Sequence, residues 1–317
     1  MIPTLLIISI VGFIIIQAPP GDFVSSYVAG LERQGEVIDQ ELIDSLRARY
    51  GLGEPVYVQY WRWMSNFVQG NLGYSMALRQ PVAEIVKERL ASSISISLLS
   101  LILVYLIGVP IGILSATRQY SLADYVFTLI GFLGVAVPSF LIALVGLWLL
   151  FLWTGKAALG LYSPGMQNAP FSLAKVLDLL NHIWLPALIV GTAGTAELIR
   201  TMRANLLDEL PKPYVTMARA RGVGPTKLLY KYPLRIAINP VISTVGYTLP
   251  SLVEGEVLVS LVLGLPTLAP VLLKSLQTQD MFLAASIIMI LAILVLIGTL
   301  LSDILLAVVD PRIRGSV

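Results

Sequence analysis

Six long apolar runs constrain the fold of this chain more than any other feature of its sequence. A helix needs roughly 20 mostly apolar residues to cross the hydrocarbon core of a bilayer, which is about 30 Å thick. With 56% hydrophobic and only 13% charged residues, the chain has more apolar surface than a soluble core of this length needs. We therefore predict an all-α, polytopic membrane protein with six transmembrane helices. The predicted spans are Ile2–Ala18, Ser92–Ala116, Tyr125–Trp153, His182–Leu206, Pro240–Leu263 and Phe282–Val309.

The first run, Ile2–Ala18, has the length of a signal peptide but not its other features. No charged residue precedes it, no small-x-small cleavage site is obvious, and five further spans follow. We interpret it as a retained first helix that ends at the paired prolines Pro19 and Pro20.

The distribution of charge predicts the orientation of the chain. Eight Lys and Arg residues lie between positions 200 and 235, against only Asp208 and Glu209. Lys and Arg in short loops stay on the cytoplasmic side, so we predict that segment 207–239 is cytoplasmic. Six crossings then place both termini on that side. The predicted external segments are 19–91, 154–181 and 264–281.

The external segment 19–91 contains two helix patterns. The first helix is predicted to start at Asp39 and end at Gly51. The second is predicted from Pro55 to Gly70 and carries one aromatic and apolar stripe. The stripe consists of Tyr57, Tyr60, Trp61, Met64, Phe67 and Val68. Such a stripe is typical either of a ligand platform or of a helix that lies on the membrane or packs on the spans, and we favour the second interpretation.

The basic segment 207–239 is punctuated by glycine and proline. We predict a short helix at 214–221, ended by a left-handed residue at Gly222 or Gly224, and a second short helix at 226–232 after Pro225. A rigid helix–turn–helix below the bilayer could receive a push from a cytoplasmic partner. The alternative is that its charges only fix topology or bind anionic lipid headgroups.

The same segment resembles a known signature. Tyr214-Val215 followed by residues 218–222, ARARG, resembles the YV-x-x-ARA-K/R-G signature of ABC importer permeases of the dipeptide, oligopeptide and nickel family, which is their form of the "EAA" loop. Other matches follow in the same order along the chain. They are Pro20-Gly21-Asp22, Tyr50-Gly51-Leu52, Asn71-Leu72-Gly73-Tyr74-Ser75, Val137-Pro138-Ser139-Phe140, Leu234-Arg235 and Asp310-Pro311-Arg312-Ile313-Arg314.

This resemblance implies a type I ABC importer-like fold, with residues 1–317 forming one transmembrane permease domain in the cell (inner or plasma) membrane. In the family the loop docks into a cleft of a cytoplasmic ATPase, and Gly222 falls on the hallmark glycine. The resemblance implies ATPase-coupling roles for Tyr214, Ala218, Arg219, Ala220, Arg221, Gly222, Val223, Leu234 and Arg235.

The partners implied by the resemblance are a second, homologous permease subunit, two cytoplasmic ATPase subunits, an external substrate-binding protein and membrane lipid. ATP and Mg would be used by the ATPase subunits, and we predict no cofactor bound by this chain. Peptide is the leading substrate, with oligosaccharide and nickel as alternatives. The pair of permeases could be homodimeric or heterodimeric.

The chain departs from the family pattern at three places. Near the end of the fifth span only Gly255 and Pro266 match the usual G-x-x-x-x-E-x-x-F-x-x-P-G-x-G run, and Pro233 and Ile236 stand where Ala and Asn are usual. The usual basic N-terminal tail is missing, which predicts that the true start lies upstream.

Composition excludes several kinds of site. The chain has no cysteine for disulfides, nucleophiles or thiolate ligands, and His182 is its single histidine, so we predict no metal site and no catalytic residue. A net charge of +2 gives no indication of nucleic-acid binding. The run Gly222–Lys227 lacks the GK[ST] ending and the preceding strand of a phosphate loop, so we predict no ATP site.

Three acidic residues lie inside predicted spans, namely Glu197, Glu254 and Glu256. An ionisable group at that depth costs several kcal/mol if it faces lipid, so each should face a partner or water. We predict that they line the translocation path, and the alternative is an interhelical hydrogen bond to Ser or Thr. An intramembrane hydrolase would need catalytic motifs such as HExxH or GxGD, which are absent. A passive channel would explain a path but not the basic loop.

Overall fold

Helices form nearly all of the regular structure, as the apolar runs predict. The computed structural model describes residues 2–32, 40–155, 159–167 and 169–309. The helices are α1 Ile2–Gln17, α2 Phe23–Glu32, α3 Gln40–Tyr50, α4 Val56–Val68, α5 Val82–Thr117, α6 Leu122–Ala136, α7 Ser139–Thr154, α8 Leu173–Val190, α9 Thr192–Glu209, α10 Pro213–Ala220, α11 Pro225–Lys231, α12 Pro233–Ser243, α13 Val245–Leu263, α14 Leu268–Gln277 and α15 Met281–Val309. A two-stranded antiparallel hairpin joins β1 Tyr74–Ser75 to β2 Gln80–Pro81. The all-α prediction is confirmed.

Within the described residues, three helices are long and apolar enough to cross a membrane by themselves: Val82–Thr117, Leu173–Val190 and Met281–Leu301. Two bent pairs of helices raise that number to 5 if each pair is one span, and α1 is a shorter apolar helix of 16 residues. This set is compatible with six crossings.

Contacts divide the chain into two compact units. The first comprises Met1–Ser92 with Thr267–Leu296, and the second comprises Ser93–Pro266 with Ile297–Val317. The second unit contains the whole basic segment 207–239.

In the first unit, α4 packs against α1 and the start of α15 through Tyr60, Met64 and Phe67 of the predicted stripe together with Trp63, which the stripe did not include. Trp63 is buried with Phe13, and their ring centroids lie 5.6 Å apart. The Tyr60 hydroxyl lies 2.9 Å from that of Ser9 in the middle of α1. The prediction that this helix packs on the spans is therefore confirmed, but the predicted stripe is only partly right, because Tyr57, Trp61 and Val68 face outward.

The helix predicted from Asp39 to Gly51 is α3, Gln40–Tyr50, and Gly51 follows it in the left-handed conformation at φ 67°. Asp39, its predicted cap, lies outside the described residues. The positive φ at Gly51 favours glycine there.

A buried carboxylate joins the hairpin to the start of α15 within the first unit. Asp280 is fully buried, and its Oδ2 accepts hydrogen bonds from the Ser75 hydroxyl at 2.6 Å and the Ala77 N–H at 2.9 Å. Its Oδ1 accepts from the Leu283 N–H at 3.3 Å, which caps the helix N-terminus. Asp280 thus accepts from three donors, of which the Ser75 hydroxyl and the Leu283 N–H are buried and would otherwise lack an acceptor.

In the second unit, α9 packs closely against α5 and α6 because small residues line the contacts. A Cβ at Gly112 of α5 would lie 2.6 Å from Met202 Cβ, and a Cβ at Gly134 of α6 would lie 3.2 Å from Ala196 Cβ. Glycine and alanine allow two helix backbones to approach closely where no hydrophobic force drives association. The helix that leads into the basic segment is therefore seated on two apolar helices.

We expect Gly112→Ala to destabilise the protein by about 1–3 kcal/mol, because the new methyl group overlaps Met202 and comes within 3.0 Å of the Ile199 carbonyl oxygen. The matched control is Gly146→Ala in α7, where the nearest atom to the new Cβ is Ile189 Cδ1 at 3.8 Å. Thermal unfolding in detergent measures both. Equal melting temperatures for the two variants would contradict the close packing of α9.

The third predicted span, Tyr125–Trp153, is wrong as a single helix. It is the pair α6 and α7, bent by 109° at Val137 and Pro138. Proline disfavours the helical conformation of the residue before it, and Val137 is accordingly extended at φ −89°, ψ 123°. Helix α7 begins directly after Pro138.

The fourth predicted span, His182–Leu206, is misplaced. The apolar helix is α8, which starts at Leu173 after the cap Ser172, whose side chain accepts from the Lys175 N–H. The two charged residues in its first turns have polar partners nearby: the Lys175 ammonium donates to two backbone carbonyls, and Asp178 accepts from the Ser163 hydroxyl. Beyond Gly191 the chain continues as the separate helix α9.

The other predicted spans differ less. The second lies within the longer helix α5, and the fifth is divided between the end of α12 and α13, which ends at the left-handed Gly264. The first and last correspond to α1 and α15. The family-like motif at 310–314 lies outside the described residues.

Candidate functional site

The basic segment 207–239 folds as three short helices, α10 to α12. Proline occupies the first turn of each, at Pro213, Pro225 and Pro233. Proline suits that position because its missing N–H would have no partner inside the helix and its φ is already helical. The first two helices lie within one or two residues of their predicted bounds, and Pro233 begins a third helix rather than bending the second.

Gly222 forms the turn between α10 and α11. It is left-handed at φ 78°, its N–H donates to the Arg219 carbonyl at 3.0 Å, and the Val223 N–H donates to the Ala218 carbonyl at 3.4 Å. This pair of bonds is the Schellman motif, which ends helices at a residue that is usually glycine. Gly224, by contrast, has an ordinary φ of −59° and precedes Pro225 as the N-cap of α11. Of the two predicted glycines, Gly222 is the left-handed one.

A small apolar core holds α10 and α11 together. Val215, Ala218 and Leu228 are buried, and Tyr214, Val223 and Tyr232 pack around them. The two short helices and their turn therefore form a packed unit, which we call the knob, residues 213–232.

Tyr214 attaches the knob to the end of α9. Its hydroxyl donates to Glu209 Oε2 at 2.5 Å. Burial raises the pKa of Tyr214, and the hydrogen bond and negative charge of Glu209 raise it further, so the hydroxyl keeps its proton and remains the donor at neutral pH. Helix α12 returns along α9, where Leu234 and Ala237 are buried.

The predicted coupling residues divide into two groups. Those that face outward are Arg219, Ala220, Arg221, Gly222 and Arg235; those that are buried or half-buried are Tyr214, Ala218, Val223 and Leu234. The second group builds the knob and its attachment. In the first group, Arg219 and Arg221 form a basic surface beside the Gly222 turn, and Arg235 is exposed on α12.

Two large hydrophobic residues that face outward on the knob were not predicted as site residues. Met217 is 57% exposed and Tyr230 is 62% exposed. For Met217, helical spacing could have predicted the exposure. Val215 and Ala218, three residues apart, lie on the inner side of α10, and Met217 falls on the opposite side of the helix. An exposed Met and an exposed Tyr beside arginines have the composition of a protein-binding surface.

The three predicted path residues have different environments. Glu256 is only 1% exposed and accepts hydrogen bonds from Ser93 at 3.1 Å and Ser97 at 3.3 Å on α5, which is the interhelical arrangement named as the alternative. Glu197 faces outward on α9. The side chain of Glu254 lies outside the described residues. Among the described residues, no group of three or more His, Asp or Glu side chains is arranged to hold a metal ion.

Comparison with protein families decides what this membrane protein is. The family described as "Binding-protein-dependent transport system inner membrane component" matches residues 108–315, and the corresponding N-terminal family matches residues 1–97. The chain belongs to this family. It is therefore a permease subunit of an ABC importer in the inner membrane, not an enzyme, and it works with ATPase and binding-protein partners.

Curated relatives cover almost the whole permease. The oligopeptide transport system permease protein AppB from Bacillus subtilis (strain 168) is 36% identical over 314 residues, which are 99% of this chain and 96% of AppB. The glutathione transport system permease protein GsiC from Escherichia coli (strain K12) is 30% identical over 314 residues, again 99% of this chain and 96% of the relative. These similarities confirm the family resemblance and do not favour the hydrolase or the channel.

Proposed function

We propose that this permease imports peptides. Both relatives named above carry peptide cargo in their names, one oligopeptides and the other glutathione, and each aligns with this chain along nearly its full length. Oligosaccharide and nickel are the alternative substrates, and the experiment below distinguishes them from peptide.

The proposed transporter contains this chain, a second homologous permease subunit, two cytoplasmic ATPase subunits that use ATP and Mg, and an external binding protein. Both termini of this chain lie in the cytoplasm. The binding protein docks on the external segments, that is, 19–91 and the loops at Ser163 and Pro266. These assignments rest on the charge of segment 207–239 and on the family.

The knob is the proposed ATPase-docking site, and its geometry is the observation that carries the mechanism. Its outward-facing residues Arg219 and Arg221 are basic and lie beside the Gly222 turn, while its interior is packed; Arg235 is exposed on the adjoining helix α12. A packed knob moves as a unit, whereas a mobile loop would absorb a push. Closure of the ATPases on ATP would move the knobs of the two permeases together and switch the path between inward and outward access.

The substrate proposal is tested on the binding protein and then on the whole transporter. The genes that neighbour this one should encode a binding protein and ATPases, and the purified binding protein should retain peptides. With that protein, the reconstituted complex should then take up the retained peptide into liposomes only when ATP is supplied. Retention of an oligosaccharide or of nickel, with no peptide bound, would overturn the peptide assignment but not the transporter role.

We propose that Glu197, Glu254 and Glu256 contribute to the translocation path. Glutamine keeps the size of the side chain and can still bond Ser93 and Ser97, so Glu256→Gln should assemble normally. Each Glu→Gln variant should alter the KM or the rate of uptake, measured in liposomes with equal amounts of complex. Unchanged uptake kinetics in all three would assign the acids to helix packing.

A further inference from the structure

One buried carboxylate in the second unit connects three helices and a turn. Asp124, in the first turn of α6, is 3% exposed. Its Oδ1 accepts from Arg203 Nε and its Oδ2 from Arg203 Nη2, both at 2.9 Å, so the guanidinium of α9 holds both oxygens. The hydroxyl of Ser115, near the end of α5, also donates to Asp124, and so does the Tyr120 N–H at 3.0 Å. We call this arrangement the Asp124–Arg203 clamp.

The clamp differs in kind from the other contacts of α9. Glycine contacts such as Gly112 with Met202 are apolar and contain no directional hydrogen bond. A two-point guanidinium–carboxylate pair is directional, because both N–H groups must point at both oxygens at once. The clamp therefore fixes the rotation and the register of α9 relative to α5 and α6.

The clamp also lies close to the knob along the same helix. Arg203 is on α9, which ends at Glu209, where the Tyr214 hydroxyl attaches α10. Helix α12 packs on α9 as well. A displacement of the knob therefore reaches α9 first, and the clamp is a polar connection from α9 to α5 and α6.

We propose that the Asp124–Arg203 clamp is a positioning site that makes α5 and α6 move together with α9, so that knob motion reaches the membrane helices. This inference rests on the proposed function of the knob. Without the clamp, the ATPases should still dock and hydrolyse ATP, but a smaller part of each knob displacement should be transmitted to the helices of the translocation path.

The test is the number of substrate molecules taken up per ATP hydrolysed by the reconstituted complex, with Asp124→Asn, Arg203→Gln and the double variant. Each single variant should lower this ratio about tenfold, a typical coupling effect between sites. The double variant should lower it little further, because both changes remove the same interaction. The matched control is Arg200→Gln, an exposed arginine one turn earlier on α9, which should keep the ratio of the natural chain.

If the pair only stabilised the fold, the variants would give less assembled complex and a lower melting temperature, but the uptake-to-ATP ratio per complex would not change. That result would overturn the proposal. If Arg203→Gln does not assemble, Arg203→Lys is the variant to measure, because lysine keeps the charge but cannot bind both oxygens of Asp124 at once. Its uptake-to-ATP ratio should lie between those of the natural chain and Asp124→Asn. A ratio equal to that of the natural chain would again overturn the proposal. Absence of ATP-driven uptake by the natural complex would instead refute the proposed function.

Discussion

Replacing Gly222 with aspartate should uncouple ATP hydrolysis from uptake while the complex still reaches the membrane. The residue is left-handed at φ 78°, a conformation that favours glycine and that aspartate, like asparagine, tolerates better than other residues with a side chain. The knob has room for the new atoms, since nothing lies within 4 Å of a Cβ at this position. The added negative charge, however, lies among the outward-facing arginines that we propose for ATPase docking.

Two controls separate the turn from the charge in this experiment. Gly222→Asn introduces a similar shape without charge, and asparagine tolerates the left-handed conformation, so its uptake should be much closer to that of the natural chain. Gly224→Asp places the same charge two residues away at an ordinary φ of −59°, where we expect the turn to be kept. Uptake and ATP hydrolysis by equal amounts of reconstituted complex measure all three, and normal uptake by Gly222→Asp would contradict the coupling role.

Replacing Asp280 with alanine should give the largest loss of stability among the changes considered. It leaves the Ser75 hydroxyl and the N–H groups of Ala77 and Leu283 without their acceptor inside the first unit. An unsatisfied buried donor costs about 1–3 kcal/mol and a lost helix cap about 1 kcal/mol, so we expect a loss of at least about 3 kcal/mol.

The conservative variant tests that explanation. Asp280→Asn keeps one oxygen, which can still accept from Ser75 and Ala77, and should therefore be less destabilised than Asp280→Ala. Asp44→Ala in α3 removes an exposed aspartate from the same unit and should leave stability nearly unchanged. Thermal unfolding in detergent ranks the three variants. If Asp280→Ala were as stable as Asp44→Ala, the carboxylate would not hold the hairpin to α15.

The sequence predicted the knob well because its signals are local. Pro213, Gly222 and Pro225 act on their own residues through backbone conformation, and the structure places helix ends beside each. Pro138 is a local signal of the same kind, and it breaks the third predicted span into two helices. We predicted one span there because the apolar run continues on both sides of this proline.

The features that sequence could not supply depend on partners far away in the chain. Asp124 and Arg203 are 79 residues apart, and Ser75 and Asp280 are 205 residues apart, so no periodicity or spacing relates them. The misplacement of the fourth span has a different, local cause, because the Lys175 ammonium donates to carbonyls only 6 and 8 residues away in the preceding loop. Buried charges in this protein are explained only when the helices are brought together.

The most direct test of the proposed ATPase-docking site is cross-linking between the knob and an ATPase subunit. Since the natural chain has no cysteine, single cysteines can be placed at the exposed residues Ala220 of the knob and Ala48 of α3, and each can be joined to partners with a short thiol-reactive photocross-linker. We predict that Ala220→Cys captures the ATPase subunit in membranes and that Ala48→Cys does not. Capture of the ATPase from Ala48, or its absence from Ala220 in an active complex, would contradict the proposal that ATP-driven motion enters the membrane through the knob.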